Sequence, residues 1–575
     1  MTELVLGPLL RHVDETSASI WVETAGTATV TVVRGDSTAS ARTFAVHEHH
    51  YALVELGGLE PGSRLDYTLA IDGVDVWPSA DAPTGSVIAT LEPSKPLRLA
   101  FGSCRTSVGH DAAGVKSHGV DALRSYALRM SETTPVHADH EDDTDLTDPR
   151  WPDLVLLLGD QVYADETTEE MREFIAARRD IEQPPWEELK DFEEYAHLYC
   201  LAWSDPINRW LLSTLPSAMM FDDHDIRDDW NTSQAWREEM QATSWWQGRI
   251  VAGLVSYWVY QHLGNLSPSE RRADEIYRLV LAHEGPDELD LTDVLDAFAE
   301  RVDREPMSYR WSYSRDFDTQ ARLVVVDSRA ARVLAPESDR ALLDPGELAW
   351  LDERMRGDVD HLLIGTSLPF MLARGLHHVE AFGEALAGGT WGRPGAKLGE
   401  KLRQTVDLEH WAAFQKTFAA VAHMTIEVAT GKRGRAPVSV TFLSGDVHHS
   451  YVSEARLSRR RLRGGERLTS AVLQAVCSPI RNPLSPRMRF ATAVLSYGVA
   501  GPAGRIVSKS TKVPDGPLRW SYAEGPWFDN NLACLELEPA GLRMWWVKGE
   551  VVDDPSQPQL AKVADYRLGD PDAKR

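Results

Sequence analysis

Seven short apolar runs punctuate the chain between residues 97 and 479, and most of them end on a chemically reactive side chain. They are LRLAFGSC, DLVLLLGD, SAMMFDD, ARLVVVDSR, HLLIGTS, VTFLSGD and LQAVCSP. Long stretches of helical periodicity separate them, with helices expected near 166–182, 186–213, 234–263, 290–303 and 398–430. Short buried-type runs alternating with helices on this scale define an α/β domain. In open α/β sheets, ligands bind in the crevice beyond the carboxyl ends of the strands. Cys104, Asp160, Asp222, Asp223, His224, Thr366, Ser367, Asp446 and His448 all fall at or just after a run's end. Strands delivering polar residues at one end of a sheet build one site.

The first 92 residues have a different texture. SASIWVETA, ATVTVVRG, ARTFAVHEHHYALVEL and RLDYTLAIDG show period-2 patterning bounded by turn residues, which predicts a small β-sandwich. The expected organisation is a sandwich over 1–92, a linker at 91–96, a catalytic-type domain over 97–550 and a tail over 551–575. The acidic segment 137–150 reads as a surface insertion, and the arginine-rich 456–467 as the loop of a hairpin.

Composition narrows the chemistry. The 575 residues carry a net charge of −27, which excludes non-specific binding to nucleic acid or to an anionic membrane surface. An acidic protein that handles an anionic substrate needs concentrated local positive charge, and metal ions supply it most compactly. No apolar run reaches the roughly 18 residues of a membrane span. With no basic leader visible, a cytoplasmic location is expected, and the four scattered cysteines do not form a disulfide framework. Oligomeric state leaves no trace in the sequence.

The candidate ligands are mixed. Thiolate and imidazole suit transition metals, whereas clustered carboxylates suit Ca²⁺, Mg²⁺ or Mn²⁺. A site with both ligand types would hold two unlike metals, and Asp160 is the natural bridge between them. A rival metal site at HEHH (His47 to His50) lacks a third ligand, so a surface strand is expected there.

GSC, GDQVYAD, DDHD and SGDVHHS, in this order, resemble the PhoD-type alkaline phosphatases of the calcineurin-like metallophosphoesterase superfamily. The resemblance covers roughly 97–550 and implies a layered β-sandwich core flanked by helices, preceded by a small all-β domain. It implies metal-dependent hydrolysis of phosphate mono- or diesters. Cys104, Asp160, Tyr163 and His448 would hold Fe³⁺, and Asp160, Asp223 and Asp446 would hold Ca²⁺. A hydroxide bridging the metals would attack in line, with His224 as general acid. Asp327 and Arg329 match a DxR element that shapes the pocket, and Thr366 or Ser367 falls at the family's weakest motif. Asp222 is expected to orient His224 or a backbone donor. Asp225, Asp228 and Asp229 are left to an outer shell, a further cation or solvent. Arg105 and Arg227 are either substrate clamps or ion-pair partners of nearby aspartates. The alternative from another functional class is an inactive metal-binding or recognition module, which an assay on a chromogenic phosphate ester would separate from the enzyme.

Overall fold

A computed structural model of the chain describes residues 2–132, 151–335, 340–395, 397, 399, 409–485, 489 and 516–569. The acidic segment 137–150 lies outside them. All seven apolar runs are strands, and they sort into two sheets. The first sheet has the order Ser217–Met220, Leu154–Leu158, Arg98–Gly102, Leu532–Glu538, Gly541–Glu550, Gln559–Leu568. Its first three strands are parallel and its last three antiparallel. The second has seven strands, with Ala321–Val326, His361–Thr366, Ser439–Ser444 and Ala471–Val476 parallel at its centre.

The sheets pack face to face. Leu99, Phe101, Leu156, Leu158 and Met220 of the first meet Leu323, Val325, Leu363, Leu443 and Leu473 of the second in one buried cluster. Strands buried on both faces read as continuous apolar runs, which is why the sequence showed them so clearly. The parallel strands turn their carboxyl ends the same way, so the residues that follow them converge.

The N-terminal region forms the expected sandwich. One sheet contains Leu4–Val13, Ala18–Thr24, His49–Leu56 and Phe44–Val46; the other contains Ser37–Arg42, Thr29–Arg34, Thr68–Ile71 and Val74–Trp77. Ala18–Thr24 is buried at every residue. Ile20 and Val22 face the sandwich core, while Trp21 on the opposite face joins the large aromatic cluster of the helical region. Leu289–Asp290, from the helical block, adds a short parallel strand to the same sheet. The sandwich is therefore knitted into the rest of the molecule.

Several expectations need correction. The helix expected over 186–213 is two helices, Phe192–Trp203 and Pro206–Thr214, because Asp205 caps the second and Pro206 occupies its first turn. The helix expected over 234–263 breaks into Gln234–Gln241 and Trp246–Ser256 and continues as a π-helix, Tyr257–His262. The segment read as a tail contains the edge strand Gln559–Leu568, paired along its length with Gly541–Glu550. With one face solvated it has no continuous buried run, and a register shift between Trp546 and Val547 interrupts its alternation. The arginine-rich loop does join two antiparallel strands, with the short helix Arg459–Arg463 inside it. Among the described residues no helix is long and apolar enough to cross a membrane.

Candidate metal centre

The convergence begins in the backbone. Cys104, Asp160, Asp446 and His448 all adopt left-handed backbone, with φ of 58°, 51°, 65° and 50°. Such conformations are uncommon for residues with a Cβ and cost on the order of 1–3 kcal/mol each when forced. Four of the six expected metal ligands sit there. The neighbouring glycines make room for it: a Cβ on Gly159 would lie 2.6 Å from the Asp222 Cβ, and one on Gly445 would lie 2.0 Å from the Ser103 hydroxyl. Ser103 Oγ in turn accepts the backbone N–H of Asp446 at 3.1 Å.

One group comprises Cys104, Asp160 and His448, whose donor atoms all lie within 4.8 Å of one another. The Cys104 sulfur is 3.3 Å from Asp160 Oδ2 and 3.3 Å from the Ser478 hydroxyl, which donates to it. With protein groups alone as neighbours, burial and then Asp446 push the Cys104 thiol up to about 12. Burial brings His448 down to about 4, leaving a neutral imidazole suited to ligation. Tyr163 is buried beside them. Its phenol is raised well above the ordinary range by burial, then by Cys104 and Asp160, and its hydroxyl makes no hydrogen bond of good geometry although Asn482 is near. Asp160 Oδ1 is likewise buried without a hydrogen-bond partner.

A second group is made of carboxylates. Asp223, Glu409 and Asp446 place oxygens within 4.8 Å of one another, and so do Asp160, Asp222 and Asp223. Arg329, fully buried, lies among them. Its Nε donates to Asp222 and its Nη1 to Glu409, while Nη2 lies 3.0 Å from Asp223 Oδ1 and 3.9 Å from Asp446 Oδ1. Asp327 holds that arginine in place by accepting the backbone N–H groups of Arg329, Ala330 and Ala331 at 2.7, 2.9 and 3.0 Å. The DxR element thus shapes the pocket. His410 bridges Asp446 (2.9 Å) and Glu380 (2.7 Å). Burial opposes the charge on Asp446, but the hydrogen bond and charge of His410, followed by Arg329, bring it down to about 2.

His224 stands at the rim with 17% of its side chain exposed. Its Nδ1 lies 2.9 Å from Asp165 Oδ1, and its ring packs against Tyr163 with centroids 4.8 Å apart. Burial works against an imidazolium here, but Asp165, then Asp223 and Asp160, outweigh it and raise the group well above its ordinary value. Asp165 belongs to neither ligand group, so its contribution does not depend on what the other carboxylates bind.

The structure corrects the expectation for Asp222. It pairs with Arg329, and His224 is oriented by Asp165 instead. Asp225 is neither ligand nor solvated. Its Oδ2 accepts the backbone N–H of Asp160 (2.9 Å) and of Asp222 (2.8 Å), fixing two strand ends at once. Asp228 is exposed, and Asp229 donates its backbone N–H to Asp223 Oδ2 at 3.0 Å. Arg105 pairs with Asp121 and Arg227 with Glu188, so both arginines serve the scaffold. Thr366 and Ser367 are buried, and the Ser367 carbonyl accepts the Gly445 N–H at 2.9 Å. His449 turns away from the site toward the Val447 carbonyl. In HEHH, His47, His49 and His50 pair with Asp296, Glu23 and Glu193, and Glu288.

Glu409, His410 and Asp165 were not foreseen as site residues. Asp165 closes the GDQVYAD motif and was legible in principle. Glu409 and His410 lie outside the seven apolar runs, and nothing in their local pattern marks them. The donor set fits a metal centre: sulfur, imidazole, phenol and carboxylates converge on strained backbone, with Asp160 Oδ1 lacking any protein partner.

The sequence pattern described as PhoD-like phosphatase matches residues 145–484, more than half of the chain, and the protein belongs to that family. It is accordingly a hydrolase acting on phosphoric ester bonds, in a metal-dependent family. Residues 1–88 match a domain of unknown function, DUF7800. The solved structure of PhoD superposes with a TM-score of 0.58 at 14% identity, covering 98% of this chain and 90% of that one, which shows the shared fold. A type III pullulan hydrolase from Thermococcus kodakarensis (10% identity, 95% of this chain and 94% of that one) and a maltogenic amylase from S. marinus (9%, 97% and 80%) reach TM-scores of only 0.14 and 0.16 and bear on nothing here. No curated protein matches the chain.

Gly445→Ala drives a methyl group into Ser103 and is expected to cost about 1–3 kcal/mol of stability. Adding Ser103→Gly should recover part of that loss, read as the midpoint of urea unfolding. An alanine variant as stable as the parent protein would show that the close approach is not needed.

Proposed function

We propose that the protein hydrolyses phosphate esters with metal ions held in two adjoining sites and with His224 protonating the leaving group. Cys104, Asp160, Tyr163 and His448 would hold one ion; Asp160, Asp223 and Asp446, joined by Glu409, would hold another. Fe³⁺ suits the first set, because a trivalent charge keeps buried thiolate and phenolate deprotonated, and Ca²⁺ or another hard divalent ion suits the second. When bound, such metals lower the pKa of coordinated water from 15.7 to about 7 and neutralise phosphoryl oxygens that this acidic protein would otherwise repel.

The chain's own residues supply the rest. The observation that carries the reading is the Asp165–His224 pair at the rim of the ligand cluster. Asp165 accepts from Nδ1 and so directs Nε2 outward as the proton donor. It also stabilises the imidazolium, the form a general acid requires. Asp165 additionally accepts the Asp228 N–H, which locks its own carboxylate in place. Arg329 stays fully buried, and its role is to balance the carboxylates, away from the substrate.

Removing the metals with a chelator should abolish hydrolysis of chromogenic phosphate mono- and diesters, and re-adding metal should restore it. A panel containing both ester classes reads out which one the site prefers. Full turnover in protein shown by elemental analysis to be free of metal would overturn the reading.

His224→Ala should lower kcat by about 10²- to 10⁴-fold for esters with basic alkoxide leaving groups and by much less for activated aryl esters. Asp165→Asn should follow the same leaving-group trend with a smaller loss. Equal losses across the series would mark His224 as a scaffold residue.

A further inference from the structure

A buried arginine links the N-terminal sandwich to the loops of the candidate metal centre, beside a direct contact in which Ser217 Oγ donates to the Leu10 carbonyl at 3.2 Å. Arg11 lies in the strand Leu4–Val13, within a domain to which no role is assigned. Leu10 beside it faces the sandwich core, whereas Leu9 joins the cluster on the other face. Arg11 points out of the sandwich as well. It is completely buried, and its Nη1 donates to the Tyr260 carbonyl at 2.8 Å and its Nη2 to the Gln261 carbonyl at 2.6 Å. Both carbonyls belong to the π-helix Tyr257–His262, close to where the helical run ends at Asn265. A guanidinium is favoured at that negative end of a helix. The approach requires Gly264: a Cβ there would lie 2.4 Å from the Arg11 Nε.

Two hydrogen-bonded branches lead from this contact into the site. In the first, Gln261 Nε2 donates to Asp225 Oδ1 at 3.1 Å, and Asp225 Oδ2 accepts the backbone N–H groups of Asp160 and Asp222. In the second, Arg11 Nη2 donates to Asn265 Oδ1 at 3.2 Å, and the Asn265 amide brackets Met219, accepting from its N–H at 2.8 Å and donating to its carbonyl at 2.7 Å. Met219 lies in the strand that delivers Asp222 and Asp223. Every side chain in both branches is buried. A π-helix segment is rare and tends to mark functional sites, and here it turns one glutamine toward the metal loops while offering its carbonyls to the arginine. Asp160 holds left-handed backbone, a conformation that persists only where its surroundings over-determine it.

We propose that Arg11 is a positioning residue: the N-terminal sandwich acts as a fixed buttress that holds the Asp160 and Asp222–Asp223 loops in their ligating geometry through Gln261, Asp225 and Asn265. The proposal rests on the reading that Asp160 and Asp223 hold metal. It assigns the sandwich a part in the chemistry without any contact to substrate.

Three variants of the full chain test it. Arg11→Met removes the donor with little change in volume. Gln261→Leu cuts the first branch while leaving the sandwich contact in place, and it decides the matter if Arg11→Met fails to fold. Arg34→Met is the control: Arg34 is buried within the sandwich and donates to Ser63 and Ile88 only, so it should lower the unfolding temperature and leave the site alone. Amide hydrogen exchange is followed over 159–164 and 219–226, with metal content read by elemental analysis. Arg11→Met and Gln261→Leu should exchange these segments at least about tenfold faster and lose metal affinity by about 10- to 100-fold, as removal of outer partners of metal ligands does. Exchange and metal content equal to the parent in folded Arg11→Met and Gln261→Leu would overturn the proposal, as would an equal effect from Arg34→Met. A parent protein that retains no metal would overturn the ligand assignment instead, and the exchange arm would still decide the role of Arg11.

Discussion

The structure depends on a balance of buried charge. Asp160, Asp222, Asp223 and Glu409 are buried and Asp446 is half-buried, all within one pocket beyond the strand ends. Taking one carboxylate out of water costs several kcal/mol unless it is paired, and like charges at this spacing raise each other's pKa values. The protein pairs most of them with its own cations. Arg329 reaches four of the carboxylates, Arg332 lies 3.3 Å from Glu409, and His410 caps Asp446. Among the described residues Asp160 has no such cation among its hydrogen bonds: its Oδ2 meets the Cys104 thiol, and its Oδ1 makes no hydrogen bond. That asymmetry supports the proposed metal site at Asp160. Arg329 balances part of the carboxylate charge. On the proposed reading one ion would complete the set of Asp160, Cys104, Tyr163 and His448 and another the set of Asp160, Asp223, Asp446 and Glu409.

The scaffold is organised around keeping those groups together. Two face-to-face sheets bring the strand ends of different sequence segments to one edge, and the glycines at 159 and 445 allow the loops to touch. Asp225 ties two of the strand ends by their backbone, and the π-helix behind it carries that tie to the N-terminal sandwich. Rigidity of this kind matters because a displacement of about 1 Å can cost two orders of magnitude in rate.

Much of this was readable in the linear chain. The strands showed as apolar runs because both of their faces are buried, and Cys104, Asp160, Asp223, Asp446 and His448 stood out because each comes within four residues of the end of such a strand. What escaped was whatever depends on distant segments meeting. Glu409 and His410 reach the site from a segment outside the seven apolar runs. Asp222 was expected to orient His224 or a backbone donor, and only the fold shows that Arg329, more than a hundred residues away, claims it. The strand Gln559–Leu568 was missed because its outer face is wet, and the helix breaks at Asp205 and after Gln241 were hidden in otherwise continuous periodicity. Arg11 carries no local signal in its apolar strand, because its partners are two carbonyls about 250 residues further on.

The central claim is that the Asp160 cluster is completed by a cation from solution. Thermal unfolding of chelator-treated protein, titrated with iron(III), manganese(II) or calcium, tests it directly. Mass action predicts a Tm that climbs with the concentration of a bound ion, equivalent to about 2.7 kcal/mol at a hundred times its Kd. Asp160→Asn should remove both the bridging carboxylate and the climb. A Tm that ignores all three ions in the parent protein, with Asp160→Asn more stable than the parent under every condition, would contradict the account.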